Sequence, residues 1–341
     1  MIPTLQDVAR RANVSTATVS RCLNAPAKVV PATRERVLRA VEELGYSPNF
    51  GARALASRRT GTFGAVVPTM LNAIFAHVLQ AFEEEIGRGG ATLLMASSSY
   101  SPAKEAEQIR ALVARGADGL LLIGAHRDED IYRFLDRRKI PYVLAWTYSD
   151  RKDRVFVGYD NVGAMREMTA RVLDLGHRRL AMIAGVTCDN DRARDRVAGL
   201  RRGVADFTGS DGAPVSVELL ERPYTIDDGA EAFTQLMRDR PADTRPTAVL
   251  CGNDVLAIGA LQRAADMGLR VPGDVSITGF DDNEMASITR PGLATVHFSQ
   301  AEMGHASARA LLHHLAQGTP ASSVRLPTRI IERQSLGPAP A

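Results

Sequence analysis

Three cysteines are all that 341 residues contain: Cys22, Cys188 and Cys251. The number is odd and no two are close in sequence, so the spacing that a disulfide framework or a thiolate metal site needs is missing. No metal and no cofactor are expected. Long apolar runs are missing too, since nowhere do about 18 uninterrupted apolar residues occur, the length at which a bilayer-spanning helix becomes possible. The opening Met1-Ile-Pro-Thr-Leu-Gln-Asp7 has no basic stretch leading into an apolar one. A secretory leader is therefore not expected, and a cytoplasmic protein is. Also lacking are a glycine-rich phosphate loop and any recognisable set of nucleophile, base and orienting group. Hydrolase and dehydrogenase chemistry have no residues to carry them, and no enzyme is expected.

What is present is an ordinary soluble composition, 45% hydrophobic and 24% charged, in a chain long enough for two or three domains. The net charge of +3 conceals an uneven distribution. Residues 1–60 hold ten Lys and Arg against four Asp and Glu, whereas the remainder holds 32 against 35. A small basic unit on a slightly acidic body suits phosphate binding.

The basic segment reads as three helices. Thr4 stands as an N-cap before a helix with Asp7 in its first turn and Leu5, Val8, Ala9 and Ala12 on one face. Asn13 and Val14 interrupt it, and Ser15 restarts a helix through Ala17, Val19 and Leu23. The tight turn between them needs a residue tolerant of positive φ, which Asn13 supplies less comfortably than glycine. A third amphipathic helix from Pro31 to Leu44, through Val37, Leu38, Val41 and Leu44, ends at Gly45.

Four stretches, Thr4-Leu-Gln-Asp-Val-Ala, Val14-Ser-Thr-Ala-Thr-Val-Ser-Arg-Cys-Leu-Asn24, Thr33-Arg-Glu-Arg-Val37 and Leu44-Gly-Tyr-Ser-Pro-Asn49, together resemble the LacI/GalR family of bacterial regulators. The likeness continues to about residue 335. Asn13 departs from it, standing where the family usually has glycine. In a helix-turn-helix the second helix enters the major groove, which nominates Thr16, Ala17 and Arg21 for base edges. For Arg21 a guanine contact and a phosphate contact stand open side by side. Ser15, Thr18, Ser20 and Asn24, with Thr4 at the first helix start, are assigned to the sugar-phosphate backbone. The Ala-rich residues 49–56 are too short for a stable isolated helix and are expected to fold on DNA. The resemblance implies a hinge helix that pairs with its dimer mate in the minor groove, with Leu55 as a wedge between base pairs and Arg53 on a phosphate or in the groove. Without the resemblance, a linker that merely packs is an equal reading.

Beyond Phe63, short apolar runs alternate with helical stretches. Gly64-Ala-Val-Val, Thr92-Leu-Leu-Met, Gly119-Leu-Leu-Leu-Ile, Tyr142-Val-Leu-Ala, Leu180-Ala-Met-Ile, Ala248-Val-Leu-Cys and Val275-Ser-Ile-Thr predict buried parallel strands of a doubly wound α/β body. Ligands of such sheets sit beyond the carboxyl ends of the strands, where Trp146, the run Asn190 to Arg196, Asn253-Asp254 and Asp281-Asp282 fall. Asp254 reads as a helix cap. An arginine, an asparagine and an aspartate with the aromatics Phe75, Trp146 and Tyr224 point to a pocket for a polar ligand, rings stacking and charged groups fixing hydroxyls or carboxyls. Through Gly176-His-Arg-Arg-Leu, Arg196-Val-Ala-Gly, Cys251-Gly-Asn-Asp-Val-Leu-Ala, Val271-Pro-Gly-Asp-Val-Ser-Ile and Gly279-Phe-Asp-Asp, the resemblance implies a two-lobed, periplasmic-binding-protein-like body. In it Phe75, Arg196, Tyr224, Asn253 and Asp281 contact a small-molecule effector. Trp146 stands where many members place a sugar-binding Asp, which argues against a plain hexose. His177 is expected to cap a helix C-terminus.

The expected organisation is a helix-turn-helix head over 1–48, a hinge over 49–62 and a body over 63–341. The first lobe spans about 63–160 plus 293–320, the second about 161–292 plus 321–335. One head reads too few base pairs, so a homodimer on pseudo-palindromic operator DNA is expected, with no membrane partner. The ending Arg333-Gln-Ser-Leu-Gly-Pro-Ala-Pro-Ala341 rules out a terminal coiled coil. A solute-binding protein or an enzyme on the same two-lobed fold is the alternative; the first has no use for a basic head and the second lacks catalytic groups.

Overall fold

A computed structural model of the chain describes residues 3–24, 26–47, 59–207, 213–238 and 240–340. It separates into two units, Met1–Thr60 and Gly61–Ala341. In the first, α1 (Leu5–Ala12), α2 (Thr16–Asn24), a single 3-10 turn (Pro26–Lys28) and α3 (Pro31–Leu44) follow one another. Thr4 and Asp7 form a reciprocal capping box at the start of α1, a device that stabilises a helix start by about 1 kcal/mol. Asn13 takes the left-handed conformation the turn demands, at φ 51°. Ser15 Oγ accepts from Thr18 N–H at 3.1 Å and starts α2. The three helices close over Val8, Ala12, Val19, Cys22, Val37 and Ala40. Leu38, expected on the buried stripe of α3, is instead 48% exposed and Ala40 takes the inward place. Helical spacing is the reason, since Val37, Ala40, Val41 and Leu44 fall on one face and Leu38 does not.

The second unit carries two parallel sheets. The first has the order β11-β5-β4-β3-β1-β2, from β1 (Thr62–Val67), β2 (Thr92–Ser97), β3 (Gly119–Ile123), β4 (Tyr142–Ala145), β5 (Phe156–Gly158) and β11 (Val324–Arg325). The second has the order β7-β6-β8-β9, from β6 (Arg179–Gly185), β7 (Ser216–Arg222), β8 (Ala248–Cys251) and β9 (Ser276–Thr278). Helices cover both faces, so β3 is buried at every residue: Leu121 and Ile123 enter one apolar cluster, Leu120 and Leu122 the other. This is the doubly wound α/β architecture expected from the alternating runs, in the two lobes that the family resemblance implies. β7 lacked a legible run because it is an edge strand whose Glu218, Glu221 and Arg222 break the apolar pattern. Residues 324–325 lie in the first sheet, a placement the expected lobe boundary at 320/321 did not give.

Three helix pairs buttress the sheets: α4 (Ala73–Gly87) on α12 (Gln300–Gln317), α7 (Asn161–Asp174) on α8 (Asp191–Ala205), and α9 (Ile226–Met237) on α10 (Asp254–Asp266). A short antiparallel ribbon of β10 (Thr295–Phe298) and β12 (Thr328–Ile331) lies outside both sheets. β10 leads into α12 of the first lobe. β12 leads on to Ser335, whose backbone and hydroxyl bond Ile277 of β9 in the second. His177 is not the helix cap expected. It is fully buried and bridges Thr247 (2.9 Å) and the Gly337 carbonyl (3.0 Å), while the neighbouring Arg178 reaches back to the Leu173 carbonyl at the end of α7. Burial holds its pKa below the ordinary histidine value.

Gly259 on α10 faces α9 so closely that a Cβ there would stand 2.0 Å from the Ile226 carbonyl oxygen and 2.8 Å from the Ala230 nitrogen. Backbone cannot yield as a side chain can. Gly259→Ala should therefore destabilise the body by roughly 1 to 3 kcal/mol in spite of alanine's helix propensity. Gly87→Ala, whose Cβ meets only a glutamate oxygen at 3.8 Å, should be neutral or slightly stabilising. Thermal denaturation of both variants checks this.

Candidate DNA-binding face and effector pocket

In the helical unit, α2 presents Thr16, Ala17 and Arg21 exposed, and Arg21 makes no hydrogen bond or ion pair among the described residues. The other hydroxyls are partly committed. Thr4 Oγ1 donates to Asp7 at 2.6 Å, and the Ser15 and Thr18 hydroxyls bond each other at 2.9 Å. Ser20 is half-buried on the same helix, and Asn24 forms its last residue. A solvent-exposed ion pair between Arg11 and Glu43 joins α1 to α3. Arg53 and Leu55 lie outside the described residues.

In the α/β unit, all six residues nominated for an effector line one cleft between the lobes: Phe75, Trp146, Arg196, Tyr224, Asn253 and Asp281. The cleft is narrow, with a cavity volume of about 30 Å3, room for only a water or two. Phe75, in the first turn of α4, packs against Trp146 at a ring separation of 5.0 Å. Trp146 follows β4 with φ 65°, and its carbonyl accepts from Asn161 Nδ2 at 2.9 Å. Tyr224 fits over Gly185, where a Cβ would lie 2.2 Å from the phenol oxygen. Asn253, rather than Asp254, is the N-cap of α10, accepting from Leu256 N–H at 3.0 Å. Asp254 is buried behind it, accepting from the Thr295 hydroxyl (2.6 Å) and Asn283 N–H (2.8 Å), and burial pushes its carboxyl well up.

Arg196 forms the floor of the cleft. Its Nε donates to Asn161 (3.0 Å), Nη1 to the Gly252 carbonyl, and Nη2 to Tyr159 (2.9 Å) and Asp281 (3.3 Å), with the guanidinium carbon 3.8 Å above the Phe280 ring. Burial opposes its charge, but Tyr159 and Asp281 outweigh burial and hold its pKa above the ordinary value. Asp281 sits at φ 108°. Its carboxyl is pushed up to about 6 by burial, against the pull of Arg196.

The cleft also contains residues not nominated from the sequence: Asn72, Ile74, Tyr100 and Arg192. Tyr100 follows β2 and lies 5.9 Å from Tyr224, so the strand-end rule applied to β2 finds it. Arg192 is one turn before Arg196 on α8, on the same face. At the rim, Asp191 reaches across the lobes. Its Oδ2 accepts from Ala125 N–H (2.6 Å) and His126 N–H (3.3 Å), and its Oδ1 accepts from Arg192 Nη1 (2.8 Å).

One turn after Asp191 on α8, Asp195 is half-buried. Burial first, and then the charge of Asp191, push its carboxyl from 3.8 up to about 6. Between those values the folded chain holds a proton that the unfolded chain has released. The contribution of Asp195 to stability therefore declines as pH rises through that window. Asp195→Asn should raise the melting temperature at pH 7.5 and raise it less at pH 5. Equal shifts at both pH values would show that Asp195 does not carry the raised pKa.

With this geometry in view, similarity to known proteins is informative. The family profile described as "Bacterial regulatory proteins, lacI family" matches residues 4–49, and that described as "Periplasmic binding protein-like domain" matches 169–336. Catabolite control protein A of Priestia megaterium is 32% identical over 97% of this chain and 98% of its own. The HTH-type transcriptional repressor PurR of Vibrio parahaemolyticus is 33% identical over 92% of each. The lac repressor dimer bound to operator and the anti-inducer ONPF superposes with a TM-score of 0.85, at 27% identity over 99% of this chain and 100% of that one. Among the described residues no helix is long and apolar enough to cross a membrane. Similar over nearly its whole length to regulators that share both its helix-turn-helix and its two-lobed body, the chain belongs to the lacI family of bacterial regulatory proteins.

Proposed function

We propose that the chain is a ligand-responsive transcriptional repressor, not an enzyme, that binds a pseudo-palindromic operator in the cytoplasm as a homodimer. Its grip changes when a small polar metabolite, a sugar or sugar acid, enters the cleft. The observation that carries this reading is the convergence of six residues from scattered strand ends and helix starts on one cleft, in a chain that also has a helix-turn-helix. In this reading α2 enters the major groove with Thr16, Ala17 and Arg21 on base edges, and Thr4, Ser15, Thr18, Ser20 and Asn24 hold phosphates. Residues 49–62 form the hinge, with Arg53 and Leu55 in the minor groove.

The homodimer is supported by an apolar groove on the first lobe. Met70, Phe75, Leu79, Leu93 and Met95 line it, beside Leu71, which is 95% exposed. β2 ends the first sheet there, and an unpaired strand edge with apolar neighbours invites a second copy. The lac repressor relative is itself described as a dimer.

Gel retardation with genomic fragments tests the whole. A specific complex is expected, and log affinity should fall with log salt at about −0.9 per neutralised phosphate. A flat titration, or no preference among fragments, would count against the proposal. Arg21→Ala should relax base preference if the guanidinium reads guanine, and weaken all sequences alike if it holds phosphate. Selection from a random pool separates the two. Leu71→Asp should convert the dimer to a monomer in sedimentation velocity while leaving the melting temperature of the body nearly unchanged.

A further inference from the structure

The two arginines of the cleft differ in what is left of them for a ligand. Arg196 engages all three guanidinium nitrogens with protein. Arg192, whose side chain is 12% exposed, engages only Nη1, with Asp191. Its Nε and Nη2 have no hydrogen-bond partner among the described residues. These two nitrogens form one edge of the guanidinium, with parallel N–H groups that match the two oxygens of a carboxylate or a phosphate.

The position of this edge is fixed from both sides. Asp191 is held by Ala125 N–H of the opposite lobe at 2.6 Å and so holds Nη1. Gly124 lets the guanidinium in: a Cβ at that residue would stand 2.0 Å from Nη1. Arg192 lines the cleft beside Tyr100, and the same two residues line a second, more polar recess with Ser98, Ser101 and His126, whose two carboxylates are engaged, Glu105 by Arg127 and Asp189 by His126. An anionic group at Arg192 thus lies at the junction of two compartments, with the rings of Phe75, Trp146 and Tyr224 on the inner side.

The geometry points to Arg192 as the residue that selects the effector by charge: the effector is a ring-bearing small metabolite with one carboxylate or phosphate, which docks bidentately on the Nε and Nη2 edge of Arg192. Arg196 is a positioning residue that keeps Asp281 and the cleft floor in place. This rests on the reading of the cleft as an effector site.

The test uses the full-length chain and matched probes: glucuronate against glucose, galacturonate against galactose, and glucose 6-phosphate against glucose, each by thermal shift and then calorimetric titration. At least one acid or phosphate should bind, and its neutral parent should bind much more weakly. The uronates and the sugar phosphate show which anion is preferred. Arg192→Gln should weaken the anionic probe by roughly 10- to 100-fold, the worth of a charge-assisted contact, and leave the weak affinity for the neutral parent unchanged. Arg192→Lys, which keeps the charge and loses the fork, should fall between. A purely structural role for Arg192 would lower both affinities together. The inference is overturned if a neutral parent binds as tightly as its anion, if Arg192→Gln retains full affinity for the anion, or if no anionic probe binds. A neutral sugar that binds and alters the operator complex would overturn it and leave the regulator standing, whereas a wild-type chain without any specific operator complex would remove the regulator itself.

Discussion

A single buried guanidinium organises the body. Arg196, 4% exposed, joins Tyr159 at the end of β5, Asn161 at the start of α7, Gly252 beyond β8 and Asp281 beyond β9. Each of these lies where the chain leaves a sheet or passes between lobes. Desolvating a guanidinium is tolerable only when its donors are met, and removing one member of such a buried pair costs about 3 to 5 kcal/mol because the other charge is stranded. The network reaches further through Asn161, whose amide holds the Trp146 carbonyl. Trp146 and Asp281 both have positive φ, a conformation that costs on the order of 1 to 3 kcal/mol at a residue with a side chain. The hub of Arg196 is what keeps those two strained residues where the cleft needs them.

Much of this was legible in the sequence. Apolar runs announced β1, β3, β4, β6, β8 and β9 because strands covered on both faces have no polar alternation to disguise them, and β2 because its exposed edge is itself apolar. Of the strands that escaped, β5 has three residues, β11 two, β7 is a charged edge, and β10 and β12 form a ribbon outside both sheets. The head was readable almost to the residue, since Thr4, Asn13, Ser15 and Gly45 are local signals that need no tertiary context. The cleft was readable in outline because the strand-end rule is topological. Arg192 was not singled out because sequence alone cannot tell which of two arginines one turn apart has its nitrogens taken. That depends on Asn161, Tyr159 and Asp281, distant in sequence from α8. His177 misled for the same reason, its partners being Thr247 and Gly337 rather than the helix beside it.

The cleft and the apolar groove of the first lobe are not separate places. Asn72 and Phe75 line both: Asn72 caps α4 through Ile74 N–H at 3.3 Å, and Phe75 lies one residue further on. A shift of the Phe75 ring against Trp146 therefore moves a wall of each at once. Packed cores have discrete arrangements rather than continuous compliance, so a small displacement at this shared wall is felt as a change of fit on the far side. On the proposed reading, the route from effector cleft to dimer surface is a single helix turn.

The clasp at the rim of the cleft is made by protein groups alone, the Asp191 carboxylate taking backbone N–H groups of the opposite lobe. The lobes are thus tied to one another at this rim by a side chain and two backbone groups. On the proposed reading of the cleft as an effector site, a metabolite would enter while this clasp is open, and its bulk affinity would be the intrinsic affinity scaled down by the open fraction. At high metabolite concentration the rate of entry would then follow the opening of the clasp rather than diffusion, and the tempo of such a response would rest on the two hydrogen bonds by which Asp191 crosses between the lobes.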